Sequence, residues 1–234
     1  MKQKEQIAVI GAGIVGLAIA YKLSLQNKKV TVFEKESQEG LHQSGRNSGV
    51  LHCGLYYQHG SLKAQLSVQG IREMILFCKV HNIPHDVCGK VVVASNAIEE
   101  VALNKLAARG KKNGLSGLSY LTSSQLKKRE PFVHAYKALL VPEEGIVDYK
   151  AVMKKLVQLV CEMGGEVHYE SPITKIENMR NSGVTILTNQ RSHKYDYLIS
   201  CTGLWSDKTF TNLTLKKAPL KIIPFRGEYL KFKT

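Results

Sequence analysis

The sequence predicts an α/β protein built on a parallel sheet, and three observations carry that prediction. Ile7-Ala8-Val9-Ile10 is a short apolar run rich in β-branched residues, the pattern of a strand covered on both faces. Gly11, Gly13 and Gly16 follow it at the G-x-G-x-x-G spacing. After a helical stretch, Val30-Thr31-Val32-Phe33 forms a second apolar run that ends on Glu34. Strand, glycine turn, helix, strand and acid are the parts of a Rossmann-like unit, and each has a physical reason. Gly11 permits the tight turn, Gly13 lets backbone approach a pyrophosphate, and Gly16 lets the helix pack close to the strand. The helix presents its N-terminal amides and the positive end of its dipole to that pyrophosphate. Glu34 lies near the ~20-residue distance at which an acid accepts the hydroxyls of a nucleotide ribose.

The first helix is expected over Ile14–Gln26, with Leu17, Ala20, Tyr21 and Ser24 at helical spacing and Asn27 suited to its end. A polar loop with several glycines then runs to about Gly60, and loops of that length are commonly functional. Ser61 caps a helix to about Val80. Lys90–Ser95 reads as a strand, Asn96 caps a helix to about Gly110, and Ser123 or Ser124 caps a short helix before Pro131. With a strand over Ala138–Pro142, these pieces form an inserted α+β unit. Asp148 caps a helix with an apolar stripe of Val152, Leu156, Leu159, Val160 and Met163, closed by Gly164-Gly165. Short strands follow over Glu166–Tyr169, Ile173–Ile176, Val184–Thr188 and Tyr195–Ser200, two of them alternating well enough for a meander. Pro219–Ile223 and Gly227–Phe232 are also strand-like.

Composition narrows the classes. Hydrophobic residues make up 44% of the 234 and charged residues 22%, an ordinary globular balance. No apolar run approaches the ~18 residues of a membrane helix, and the N-terminal run is too short for the core of a signal peptide. Five dispersed cysteines without a C-x-x-C pair argue against a disulfide framework or a zinc site, so no metal is expected and the cytoplasm is the expected location. The formal charge of +14 suits an acidic small substrate or contact with anionic lipid at the inner face of a membrane. No nucleic-acid motif accompanies it, and lysines spread over solvated helix faces are the plainer account.

The loop Ser44-Gly-Arg-Asn-Ser-Gly-Val-Leu-His-Cys-Gly-Leu-Tyr-Tyr57 is the second informative region, because glycines and short polar groups let backbone amides run along a ligand. With Gly60-Ser-Leu-Lys-Ala64, Gly145-Ile-Val-Asp-Tyr149, Cys201-Thr-Gly-Leu-Trp-Ser-Asp207 and Pro224-Phe-Arg-Gly-Glu-Tyr229, it gives the chain its resemblance. The sequence resembles the flavin-dependent oxidoreductases of the D-amino-acid-oxidase type, and within them the branch that acts on L-2-hydroxyglutarate.

The resemblance implies FAD as cofactor, in a Rossmann-like FAD-binding domain with an inserted α+β substrate domain of which this chain holds an incomplete part. The expected boundaries are 1–80 and 145–215 for the FAD-binding domain, and 81–144 and 216–234 for the substrate domain. Gly11, Gly13 and Gly16 would hold the pyrophosphate and Glu34, with Lys35 beside it, the adenosine ribose. Ser44, Arg46, Asn47, Ser48 and Gly49 would line the flavin, and Thr202 and Gly203 would make the second dinucleotide contact. Arg46 departs from the family, where a histidine often precedes Asn-Ser-Gly. The implied reaction is oxidation of an L-2-hydroxy acid, L-2-hydroxyglutarate to 2-oxoglutarate, with oxygen or a quinone as electron acceptor. A base near neutral pH favours histidine, and of His52 and His59 the former is preferred. Arg226, Lys63 and Tyr56 are candidates for the substrate carboxylates. A catalytically silent FAD-binding remnant, or a relative oxidising glycerol 3-phosphate or amino acids, are the alternatives.

Overall fold

The apolar run near the N-terminus pairs with a neighbour on each side, which is why none of its inner residues is polar. The computed structural model describes residues 4–179, 183–189 and 191–228. Strand β1 (Gln6–Ile10), helix α1 (Ile14–Leu25) and strand β2 (Lys29–Phe33) fall where the sequence puts them. Helix α1 buries Gly16, Leu17, Ala20 and Ser24, one stripe at helical spacing. The chain leaves it at Asn27, whose φ of 61° is the left-handed conformation asparagine tolerates. The stretch after Glu34, expected as a loop throughout, holds a 3-10 turn at Gln43–Gly45 and the two-residue strand β3 (Val50–Leu51).

Helix α2 (Leu62–Val80) starts at Ser61, whose Oγ accepts from the Ala64 amide at 3.2 Å. Strands β4 (His85–Asp86) and β5 (Lys90–Ala94) precede helix α3 (Ala97–Lys112), capped by Asn96 as expected. Strand β6 (Ser119–Leu121) leads into helix α4 (Ser123–Arg129). Its cap is Thr122 rather than either serine, because Thr122 and Gln125 satisfy each other's backbone amides in a reciprocal capping box. Strand β7 (Lys137–Val141) stops before Pro142, which has no N–H to give a ladder. Strand β8 (Gly145–Val147) passes to Asp148, whose carboxylate accepts from the amides of Lys150 and Ala151 and opens helix α5 (Tyr149–Glu162). Strands β9 (Glu166–His168), β10 (Ile173–Met179), β11 (Gly183–Thr188), β12 (Ser192–Tyr195) and β13 (Tyr197–Ser200) follow, then helix α6 (Ser206–Thr214).

The chain divides into two compact units, Met1–Arg46 with Val152–Thr234, and Asn47–Ala151. These limits do not follow the expected domain boundaries: 47–80 and 145–151 group with the second unit, whose sheet β3-β8-β4 joins Val50–Leu51 to Gly145–Val147, and 216–228 groups with the first.

The first unit holds a parallel sheet of order β13-β1-β2-β9. Ala8, Val9, Val30 and Val32 are fully buried in it, each large side chain contributing roughly 1.5–3 kcal/mol. Strands β10, β11 and β12 form an antiparallel meander; β10 and β11 were expected, whereas β12 was not, apart from Tyr195. Its Val184, Ile186 and Tyr195 pack with Ala8 and Phe33 in one apolar cluster. The single strand expected over Tyr195–Ser200 is two. Tyr195 pairs with Val184 in the meander and Tyr197 with Ile7 in the parallel sheet, so the chain changes sheets at Asp196. Asp196 locks that exchange, its carboxylate accepting from the Gln6 amide at 2.7 Å and its amide donating to the Gln6 carbonyl at 2.9 Å. The second unit carries the antiparallel sheets β3-β8-β4 and β5-β7-β6.

The strand expected over Pro219–Ile223 does not form. A strand needs a ladder partner, and here the Ile222 amide donates instead to the Asp207 carboxylate at 3.1 Å. Of the strand expected over Gly227–Phe232, Gly227 and Glu228 have no regular structure and the remainder lies outside the described residues.

Candidate functional site

The glycine turn is built by contacts that no side chain could share. Gly11 has a φ of +100°, and a Cβ there would stand 2.6 Å from the Cys201 carbonyl oxygen. At Gly16 a Cβ would stand 2.0 Å from the Gly11 carbonyl oxygen, so this glycine sets how closely α1 approaches the strand end. Gly13 is the N-cap of α1; it supplies no side-chain cap, and the first turn carries no acid. The Ile14 amide donates to Ser44 Oγ at 3.0 Å. Although Ser44 takes the first amide, no acid in the first turn neutralises the positive end of α1, which leaves it favourable to an anion.

Glu34 closes the turn. It is 7% exposed, and its two carboxylate oxygens accept from the amides of Ala12 at 2.7 Å and Glu36 at 3.0 Å. An ionised carboxylate offers about four acceptor positions, so capacity remains for ribose hydroxyls. The connection between β9 and β10 ties down this stretch: the Ser171 amide donates to the Glu34 carbonyl at 2.9 Å, and Tyr169 Oη to Glu39. Burial and the adjacent Glu39 carboxylate push the Tyr169 phenol well above its ordinary range, while His42, donating to Glu36 at 2.9 Å, holds that carboxyl below its own.

These groups face a cavity of about 1540 Å³ within the first unit, larger than the ~300–1,000 Å³ typical of small-ligand sites and suited to a dinucleotide. Of the predicted cofactor residues, Gly11, Gly13, Glu34, Lys35, Ser44, Thr202 and Gly203 line it. Gly16 stands behind the turn, and the exposed Arg46 ends the 3-10 turn without joining the lining. Asn47, Ser48 and Gly49 belong to the second unit. There Asn47 Oδ1 accepts from the Gly49 amide at 2.8 Å, and the Gly49 carbonyl accepts from the Val147 amide at 2.8 Å.

Sequence reasoning misses part of this wall. His42, Gln43, the stretch from Ser171 to Glu177, Trp205 and Lys208 also line the cavity. Trp205, the chain's one tryptophan, is half-exposed. Lys35 Nζ lies 4.7 Å and Lys208 Nζ 4.3 Å from its ring centre, cation–π distances on both counts. Only the rarity of tryptophan marked it, inside a motif read for its threonine and glycine.

The catalytic candidates are placed separately. His52 is exposed, and its Nδ1 lies 4.0 Å from Oε2 of Glu144, a carboxylate 1% exposed. Lys90 Nζ reaches the same oxygen at 2.5 Å and lies 4.7 Å from the ring centre of Tyr56. The amide and thiol of Cys53 both donate to Glu144 Oε1, at 3.4 and 3.3 Å. Burial, then the Glu144 charge, pushes the Cys53 thiol up to about 12. Asn113, at the end of α3, holds the loop by donating to the carbonyls of Gly54 and Tyr57 at 3.1 and 3.0 Å, while Arg109 donates to that of Tyr56 at 3.0 Å. Lys63 is exposed beside the Tyr57 ring. His59 pairs with Asn113 Oδ1 at 3.2 Å. In the other unit, Arg226 is highly exposed, pairs with Glu228 at 3.5 Å, and is not part of the cavity lining.

The sequence profile of the DAO family, described as FAD dependent oxidoreductase, matches residues 6–234. The chain belongs to the FAD-dependent oxidoreductase family. The cofactor of this family is FAD, and the glycine turn, sealed Glu34 and cavity of this member fit it. Among curated relatives, L-2-hydroxyglutarate dehydrogenase of Indibacter alkaliphilus is 43% identical over 97% of this chain and 57% of its own length. The mitochondrial L-2-hydroxyglutarate dehydrogenase of Homo sapiens is 37% identical over 97% of this chain and 52% of its own. The chain therefore spans about half the length of the curated relatives it matches. Among solved structures, FAD-bound L-alpha-glycerophosphate oxidase from Mycoplasma pneumoniae superposes with a TM-score of 0.80 at 22% identity, covering 91% of this chain and 57% of that one. Glycine oxidase from Geobacillus kaustophilus gives 0.78 at 19%, covering 91% and 58%. At such identities these two carry the fold alone.

Proposed function

We propose that this chain is the nucleotide-binding part of an enzyme that oxidises L-2-hydroxyglutarate to 2-oxoglutarate. The observation that carries the reading is the pairing of a sealed dinucleotide cradle, Gly11 to Glu34, with 43% identity to a dehydrogenase named for that substrate. FAD, when bound, supplies a two-electron acceptor for the hydrogen on the substrate's C2. Gly11, Gly13 and the positive end of α1 hold the pyrophosphate, and Glu34 takes the ribose. As C2 loses its hydrogen with the bonding electron pair, the hydroxyl proton passes to His52, leaving the C2 carbonyl. Tyr56 and Lys63, on the same loop and the helix after it, and Arg226 on the Pro-Phe-Arg-Gly segment, are the groups we assign to the substrate carboxylates. A cytoplasmic location, oxygen or a quinone as final acceptor, and peripheral contact of the basic surface with anionic lipid belong to the same reading. Among the described residues no helix is long and apolar enough to cross a membrane.

The test is the visible spectrum of the purified 234-residue chain mixed with FAD and then, without oxygen, with L-2-hydroxyglutarate. Retention of oxidised flavin and its bleaching by this substrate supports the proposal. Retention without bleaching keeps the cradle and rejects the oxidation. Bleaching by glycerol 3-phosphate or an amino acid instead rejects the substrate, and failure to retain flavin rejects the cradle.

A further inference from the structure

Glu144 is an unusual residue to find in a small antiparallel unit. It is a carboxylate 1% exposed, and burying a charge is costly unless partners compensate it. Its two oxygens are used differently. Oε1 takes the amide and thiol of Cys53, the residue that follows His52. Oε2 makes no hydrogen bond of good geometry; it has Lys90 Nζ beside it at 2.5 Å and His52 Nδ1 at 4.0 Å. A carboxylate oxygen has two lone pairs, so the ion pair with Lys90 leaves a position open. The nearest ring nitrogen is that of His52.

The sequence arranges this deliberately in space. Glu144 sits in the turn between β7 and β8, Lys90 begins β5, and His52 and Cys53 follow β3, so three separate stretches of the second unit converge on one buried charge. Backbone fixes it as well: the Gly89 amide donates to the Glu144 carbonyl at 2.8 Å. Lys90 neutralises the carboxylate, while its own charge lies against the Tyr56 ring at 4.7 Å.

We propose that Glu144 is the positioning residue of His52: its Oε2 accepts the Nδ1 proton, fixing the tautomer in which Nε2 is the free, proton-accepting nitrogen. At 4.0 Å the contact is longer than a hydrogen bond, so the exposed His52 ring must approach Oε2 in the free chain. The inference rests on the assignment of His52 as base in the proposed oxidation.

The test reads the ring itself. The chain is labelled with ¹⁵N-histidine, and the His52 ring shifts, assigned by loss in His52→Gln, report which nitrogen carries the proton at a pH where the ring is neutral. Without a carboxylate partner, neutral imidazole favours the Nε2–H form. The expected result is a predominantly Nδ1–H ring in the wild type and a return to Nε2–H in Glu144→Gln. A wild-type His52 that is predominantly Nε2–H overturns the proposal without any variant. Should Glu144→Gln fail to fold, Lys90→Met/Glu144→Met, which removes both charges, gives the same comparison. In the bleaching assay, Glu144→Gln should slow the flavin reduction rate at saturating substrate at least tenfold, and should cost nothing further in a His52→Gln background. An additive loss overturns the coupling. If His52→Gln bleaches at the wild-type rate, the assignment of the base fails while the tautomer result stands or falls by itself.

Discussion

Glu34 shows how one side chain serves structure and ligand together. Its oxygens hold two backbone amides, and hydrogen bonds to a charged group are worth roughly 1.5–3 kcal/mol each. Glu34→Gln keeps the size, loses the charge, and turns one acceptor into a donor facing an amide. FAD affinity should fall by about ten- to a hundredfold, measured by equilibrium ultrafiltration; unchanged affinity would show that the ribose is held elsewhere. Cys53 shows the opposite case, a nucleophile suppressed. The thiolate reacts, not the thiol, and this thiol is buried against a carboxylate and pushed up to about 12. At about pH 8, iodoacetamide followed by peptide mass mapping should modify exposed Cys88 while Cys53 stays intact. Early alkylation of Cys53 would contradict its packing against Glu144. The glycines and Glu34 were legible because each is demanded by backbone chemistry. Glu144 was not, because in sequence it is one of two adjacent acids before a glycine, and its burial comes from β5 and the loop after β3.

At the scale of elements, legibility followed length. The long helices were read to within about two residues, since caps such as Ser61, Asn96 and Asp148 announce themselves. The two- to four-residue strands β3, β4, β6, β8 and most of β12 were missed, because so short a run has no period to detect and exists only through its partner. The break at Asp196 was missed for the same reason: it is a change of partner in an unbroken run. The segment from Cys53 to Tyr57 has no ladder and is held from α3. Its Leu55 is fully buried beside Gly110, where a Cβ would come within 2.7 Å of Leu55 Cδ1. Asn113→Ala should leave two carbonyls without their donor and cost about 1–3 kcal/mol in urea melts. Hydrogen exchange should rise at residues 54–57 with α1 unaffected; protection unchanged there would assign the loop's order to Leu55 alone.

For the molecule as a whole, the α/β class, the parallel sheet and the nucleotide cavity followed from the first 34 residues, whereas the closure of that cavity by β10 and α6 needed the tertiary structure. The first unit also has a built-in acid sensitivity. His193 on β12 packs against Phe33 at 5.2 Å and stacks on Tyr195 at 6.4 Å between ring centres. Burial first, then His168 and Arg191, lower its pKa below 6.5, while Glu166 acts the other way. The folded state therefore binds fewer protons than the unfolded chain between the two values. The stability this neutral ring provides is present above 6.5 and is lost as pH falls through that value towards the lower folded one. The lowered carboxyls of Glu36, Glu100, Glu166 and Asp207 lose their contribution further down, below about pH 4. Melting temperature should thus drop between about pH 7.5 and about pH 5.5, and less so in His193→Phe. An equal drop in both would place the sensitivity at another group.

Trp205 gives this molecule its own optical reporter. Selective excitation of indole samples one residue, and that residue lies in the cavity wall between two lysines. An isoalloxazine absorbs where indole emits, so arrival of FAD should extinguish the emission by energy transfer, whereas adenosine diphosphate, which lacks that ring system, should merely perturb it. Emission intensity against ligand concentration would then give affinities for the whole cofactor and for its adenine half from a single unlabelled chain. Indifference of the emission to saturating FAD would mean that the ligand occupies some other surface.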